Sequence, residues 1–226
     1  MNNKRLGKGL SALIPGAVES EGVKEIPLDK LVENPYQPRR DYDPEALNEL
    51  ADSIRQNGVI QPIAVCRRDD KYQLISGARR KRASEIAGLK SIPAYILNVQ
   101  SDGELLELAL VENLQREDLN PLELAGGYQR LIDECGLTQE EVSRRVGKKR
   151  STVANTLRLQ KLPEAIKQGL LKDEITMGHA RALINVEDPD FQISLFRRIT
   201  REGMNVRKLE NIISQASRPQ KKKTEP

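Results

Sequence analysis

The sequence predicts an α+β protein, with an N-terminal α/β part followed by an all-helical part. Three observations lead there. Short apolar runs bounded by turn residues stop near residue 97. From Ser101 onward the apolar residues recur at helical spacing. The 226 residues contain 3% aromatics and no Trp, so the core must rest on Leu, Ile, Val and Ala, which favours helices. Nothing approaches the roughly 18 consecutive apolar residues of a membrane span, so a cytoplasmic protein with no membrane partner is expected. One histidine, His179, excludes multi-His metal sites and argues against a Ser-His-Asp hydrolase. Cys66 and Cys135 stand far apart, outside any CxxC pattern, and read as reduced, small hydrophobes.

Residues 1–21 read as a flexible arm. Val23 to Pro27 can form a strand, and Asn34 to Arg39 is a proline-punctuated loop. Asp43-Pro44 opens a helix, with Asp as N-cap and Pro in the first turn. Leu47, Leu50, Ala51 and Ile54 line its inner face, and Gly58 closes it. Ile63–Cys66 and Tyr72–Ile75 form a hairpin through Asp69-Asp70. A basic helix follows Gly77 and ends at Gly88. Ile92–Leu97 is another strand, whose Pro93 predicts an edge position or a strand start.

The helical part begins with a helix from Asp102 to about Arg116. Asn120-Pro121 opens the next, which ends near Cys135-Gly136. Thr138 and Glu141 form a capping box for a short helix to Val146. Gly147 breaks it, and Ser151 is expected to cap a helix to about Gln160. Pro163, Thr176, Asp188-Pro189 and Asn205 start four more. This gives an N-terminal domain over 22–119, a helical domain over 120–214 and a basic tail over 215–226.

Net charge is only +4, so its placement matters more than its size. Between Thr138 and Lys161, seven cations face two acids. The same stretch has the logic of a helix-turn-helix. Val142 and Val146 lie on one face of the first helix, a glycine sits at the bend, and Val153 and Leu157 are inward on the second. Thr152, Asn155, Thr156 and Arg158 are then outward. A helix of this kind fits the major groove with its N-terminal residues, here Lys149, Arg150 and Ser151, at base edges and phosphates. His179 and Arg181, at a later helix start, are further candidates for DNA, with a packed His179 as the other reading.

A second basic site lies at Ser76-Gly77-Ala78-Arg79-Arg80, between a strand and a helix. Gly77 allows close approach of backbone to a ligand, the helix start offers N–H donors, and two arginines offer forked donors for phosphate. It lacks the GK[ST] ending of a Walker A loop. Glu112 and Asn113, side by side on a helix, supply oxygen ligands suited to Mg²⁺ shared with a triphosphate. Gln37 and Arg39, in the proline-rich loop, suit a base or a phosphate.

Taken together, these stretches resemble the ParB family of chromosome and plasmid partition proteins. The match runs through Asn34–Arg39, Gly58–Val65, Gly77–Arg80, Glu112–Arg116, the helix-turn-helix and Gly178–Arg181, in that order. The resemblance implies a ParB/sulfiredoxin-like α/β domain that binds CTP with Mg²⁺, and a helical domain that binds half of a palindromic parS site. CTP would close the N-terminal domains of two protomers into a clamp that slides on DNA, and slow CTP hydrolysis would reopen it. Gln37, Arg39, Ser76, Gly77, Ala78, Arg79, Arg80 and Asn113 would line the nucleotide. Glu112 and Asn113 would hold the metal, and positions 78 and 112 would be catalytic. Arg5, Leu6, Lys8 and Leu10 resemble the peptide that engages a ParA-type ATPase, and an SMC condensin is a further partner implied by the family. The expected location is the nucleoid.

Two departures stand out. The family box usually has glutamate where this chain has Ala78, which predicts CTP binding with impaired hydrolysis. The basic tail reads as a linker before a dimerisation domain, so nucleotide-dependent self-association is the expected mode. The principal alternative is a helix-turn-helix transcription regulator that uses no nucleotide. Sulfiredoxin chemistry would require a cysteine where Ala78 stands.

Overall fold

The computed structural model describes residues 20–34, 43–99, 101–116 and 119–216. Gln37 and Arg39, and the arm residues Arg5, Leu6, Lys8 and Leu10, lie outside them. The described residues form two compact units: those up to Arg116 together with 134–136 and 145–147, and the remainder.

The first unit carries a five-stranded mixed sheet ordered β1-β5-β3-β4-β2, with β1 Ser20–Pro27, β2 Leu31–Val32, β3 Ile63–Arg68, β4 Lys71–Ser76 and β5 Ser91–Leu97. The expected hairpin is present as the antiparallel β3–β4 pair, and Asp69 in its turn has φ 51°. The other pairs are antiparallel β1–β5, parallel β3–β5 and parallel β2–β4. Pro93 does not mark an edge, because β5 is paired on both sides. It precedes the first β3–β5 pair, Ile63↔Ala94, so β3 does not need its missing N–H.

Alternate residues of β3 enter different apolar clusters, as a strand's period of two requires. Ile63 and Val65 join Ile26, Leu31, Leu74, Ile92, Ala94 and Ile96. Ala64 and Cys66 join Ile75, Leu97, Leu105 and Leu108. The second set places a helix spanning Asp102–Leu114 against the sheet. Its Ser101 N-cap accepts from the Glu104 N–H at 3.1 Å. Two helices precede it in the chain, α1 (Pro44–Asn57) and α2 (Ala78–Ile86), so it is α3. Helix α1 buries Ala51 and Ile54 against Ala83 of α2. Asp43 caps α1 as expected, accepting from the Glu45 N–H.

The second unit is built from helices among its described residues, the last residues of the first two grouping with the first unit: α4 Pro121–Cys135, α5 Gln139–Arg145, α6 Arg150–Arg158, α7 Glu164–Leu171, α8 Met177–Leu183, α9 Pro189–Glu202 and α10 Val206–Ala216. Its core is aliphatic, formed around Leu159, Ile166, Leu183, Leu195 and Leu209. The capping box expected at Thr138 forms, with its N–H donating to Glu141 at 2.8 Å, and the helix start expected at Asn120 carries a box of its own, with the Asn120 N–H donating to Glu123 at 2.9 Å. Ser151 does not cap α6. Lys149 occupies the N-cap position with extended backbone and no side-chain cap, and its carbonyl accepts from the Thr152 N–H at 2.9 Å. The helix therefore starts earlier than a serine cap would place it. Among the described residues, no helix is long and apolar enough to cross a membrane.

Candidate nucleotide and DNA sites

In the first unit the sheet and two helices bring three separated stretches together. Gly77 is the N-cap of α2 with φ 102°, a conformation that disfavours any side chain. A Cβ there would lie 2.6 Å from Cγ2 of Ile63, so packing excludes one as well. The α2 amides thus begin directly at the end of β4. Arg79 beside them is exposed.

Arg80 is half-buried, and its Nη1 donates to the carbonyls of Gln61 at 2.6 Å and Pro62 at 2.5 Å. Burial pulls its pKa below the usual arginine value, against the opposing field of Glu112. Glu112 projects from α3, and Ser76 donates its hydroxyl to Glu112 Oε1 at 3.1 Å. Burial raises the Glu112 carboxyl above the ordinary range, although the Ser76 hydrogen bond and the charges of Arg116 and Arg80 oppose the rise. Asn113 Oδ1 accepts from Arg116 Nη1 at 3.4 Å.

The expected Ser76, Gly77, Arg80 and Glu112 are therefore neighbours, and Asn113 follows Glu112 on α3 with its side chain on Arg116. Ala78 packs its methyl against the sheet cluster that contains Ile63. The sequence pattern assigned no role to Arg116 or to the Gln61 and Pro62 carbonyls. All three lie inside the family-like stretches, and Arg116 falls at helical spacing from Glu112 and Asn113, so the signal was present. Among the described residues no group of three or more His, Cys, Asp or Glu side chains could hold a metal by itself. A half-buried carboxylate whose charged form is disfavoured does fit a cation shared with phosphate oxygens, the usual setting for Mg²⁺.

In the second unit Lys149, Arg150, Ser151 and Thr152 are exposed at the first turn of α6, while Val153 and Leu157 are buried beneath it. Gly147 takes φ 64° at the bend. Of the residues expected outward, Thr156 is not, and Arg158 is outward but engaged. Thr156 is buried, because it lies three residues after Val153 on the inner face. Arg158 is exposed, yet its Nη2 donates to Asn185 Oδ1 at 3.0 Å and to the Ile184 carbonyl at 3.3 Å, tying α6 to the end of α8. Asn155 is half-buried, and Arg181 is exposed beside a cleft of ≈ 260 Å³ that Asn185 and Glu210 also line.

His179 is buried and does not present a ring nitrogen for DNA. Its Nδ1 accepts from the Thr176 N–H at 3.2 Å, and Nε2 lies 2.8 Å from the Met204 carbonyl. The physical reason is its place at the third position of α8. There it completes a capping box with Thr176.

Residues 15–114 match the ParB N-terminal domain, and residues 117–218 match the ParB HTH domain. The chromosome-partitioning protein Spo0J of Thermus thermophilus is 49% identical over 98% of this chain and 80% of its own length. The chain belongs to the ParB family. A C-terminally truncated ParB from Caulobacter crescentus, complexed to the centromeric parS site, is 39% identical with a TM-score of 0.73, covering 85% of this ParB chain and 99% of its own. The Caulobacter crescentus protein complexed with CTP-gamma-S is 42% identical over 79% of this chain and 98% of its own, with a TM-score of 0.39.

Proposed function

We propose that this ParB chain binds a parS-type DNA palindrome through α5, α6 and α8, and binds CTP at the cradle between β4 and α2. The observation that carries the DNA reading is the fold match, at TM-score 0.73, to a relative held on parS. The first turn of α6 supports it, with exposed polar or cationic side chains in sequence at Lys149–Thr152. Arg181 adds a further cation for base or backbone. In a protein of this kind CTP occupancy closes two N-terminal domains on DNA, and an arm containing Arg5, Leu6, Lys8 and Leu10 engages a ParA-type ATPase. An SMC condensin is a second protein partner, and the working location is the nucleoid.

The nucleotide reading is supported by the combination at Gly77. Backbone amides begin where no side chain fits, and Arg79 and Arg80 stand beside them. Arg80 uses Nη1 on the Gln61 and Pro62 carbonyls, which leaves the other donors of its guanidinium for the cradle. Glu112 and Asn113 would hold Mg²⁺ together with the phosphates, where it would offset phosphate charge. Ser76 orients the Glu112 carboxylate for that task. Gln37 and Arg39, outside the described residues, are assigned by the family resemblance to contact the nucleotide at its base or phosphates.

Ala78 brings no carboxylate to the cradle, so bound CTP is held but turned over slowly. Titration calorimetry in magnesium buffer is expected to show CTP uptake and none for ATP or GTP. Ala78→Glu is expected to raise DNA-stimulated phosphate release by about 100-fold, the scale of one general base. Absence of any CTP heat would leave a nucleotide-independent DNA-reading regulator as the function.

A further inference from the structure

The buried His179 is the strongest feature that neither the cradle nor the exposed cations explain. One imidazole closes two helix junctions. Nδ1 accepts from the Thr176 N–H and lies 3.0 Å from the Thr176 hydroxyl, which caps α8. An Nδ1 that accepts carries no proton, so the neutral ring has its hydrogen on Nε2, facing the Met204 carbonyl at 2.8 Å. Met204 is buried in the turn between α9 and α10, just after Gly203 with φ 59°. Beside this bridge the two helices approach closely. A Cβ on Gly178 would lie 2.9 Å from Cγ2 of Val206. At its other end α8 is held by Arg158, through Ile184 and Asn185. Both ends of a seven-residue helix are thus pinned, one to the α9–α10 turn and one to the helix-turn-helix, with the exposed Arg181 between them.

We infer that His179 is a positioning residue for DNA reading: by bridging the α8 cap to the Met204 carbonyl, it sets the angle at which α8 presents Arg181 relative to α6. This rests on the proposed DNA function. It predicts loss of sequence discrimination with no loss of a phosphate contact, because the imidazole itself is buried.

The test uses the full chain and two duplexes of equal length, the parS site of the Caulobacter crescentus relative and a scrambled control, titrated over a range of salt. His179→Ala is expected to lower the preference for parS about tenfold, the scale of one lost buried hydrogen bond. Binding to the scrambled duplex and the salt slope should stay unchanged. A direct phosphate contact would instead reduce the slope by about one, and that result overturns the proposal.

Two isosteres separate the roles. His179→Gln can place a donor near the Nε2 position and is expected to restore most of the preference. His179→Asn can place an acceptor near Nδ1, restoring thermal stability but not the preference. Full preference in the Asn or Ala variant means the bridge is merely structural and overturns the proposal. Gly178→Ala provides an independent route, since its Cβ pushes α8 off Val206. It should reproduce the loss, and adding Val206→Ala should reverse it; an unaltered preference in Gly178→Ala counts against the proposal. If the unmodified chain shows no preference for parS, the DNA reading itself fails, a result distinct from an unaffected His179→Ala in a chain that discriminates.

Discussion

The two units present their basic groups in different ways. The cradle in the first unit is non-local and partly buried. It takes carbonyls from Gln61 and Pro62, a glycine and an arginine from the start of α2, and side chains from α3. Its charged groups are perturbed by burial, Glu112 upward and Arg80 downward. The helix-turn-helix surface is local and exposed, with its cations contiguous in sequence from Lys148 to Arg150. The difference teaches where each is vulnerable. A site made of buried, mutually supporting groups fails with its packing, whereas a surface of exposed cations loses affinity one contact at a time.

The sharpest way to break the contrast is Gly77→Ala. The added Cβ meets Ile63 at 2.6 Å and must adopt φ 102°, so both packing and backbone oppose it. A cost of about 2 kcal/mol or more is expected, on the scale of core overpacking plus backbone strain. Calorimetric melting should show destabilisation of the first unit and CTP titration should show no uptake, while the second unit still binds a short parS duplex.

Next in size is a crossed pair of arginine variants. Arg80→Ala removes the proposed phosphate donor and the link to Gln61 and Pro62 together. It should abolish CTP binding and spare recognition of a short duplex. Arg150→Ala should lower parS affinity by about 1–3 kcal/mol if it reads a guanine edge, with CTP affinity intact. Equal loss of both activities in either variant would show that the two sites do not act separately.

The smallest effect concerns Glu112. Its carboxyl is raised in the folded protein by burial. A carboxyl raised on folding binds its proton more readily in the native state, so stability at this group is fully present below the ordinary carboxylate value. That stability is lost as pH rises through the elevated native value. Glu112→Gln should remove this dependence. The nucleotide-free variant should melt slightly above the unmodified chain at neutral pH and coincide with it at low pH, while Mg²⁺-dependent CTP affinity falls. A variant that melts lower at neutral pH would mean that the Ser76 hydrogen bond outweighs the burial cost.

Much of both units was legible in the amino-acid order. Asp43-Pro44, Ser101, Asn120-Pro121, Thr138 with Glu141, and Asp188-Pro189 mark helix starts through contacts spanning two or three residues, and such contacts can be read from the chain alone. The hairpin at Asp69-Asp70 and the glycine bend at Gly147 are local for the same reason. Expectations went astray where a partner lies far along the chain. Thr156 was placed outward from helical phase, but its burial depends on packing with other helices. His179 was a candidate for DNA with a packed side chain as the other reading, and its contact with the Met204 carbonyl, 25 residues on, decides for the packed one. Pro93 suggested an edge or a strand start, and strand order excluded the edge by pairing β5 with both β1 and β3.

By itself, then, the sequence determined where helices and strands begin, which residue types could meet phosphate, and that two separate basic sites exist, because each depends on neighbours a few residues apart. Tertiary structure alone decided that Arg80 would lean on two carbonyls nearly twenty residues upstream, that Ser76 would meet a carboxylate 36 residues away, and that the lone histidine would bolt two helix junctions together. These contacts form only after the apolar faces have packed, since burial brings distant polar groups within hydrogen-bonding range and makes leaving them unpaired costly.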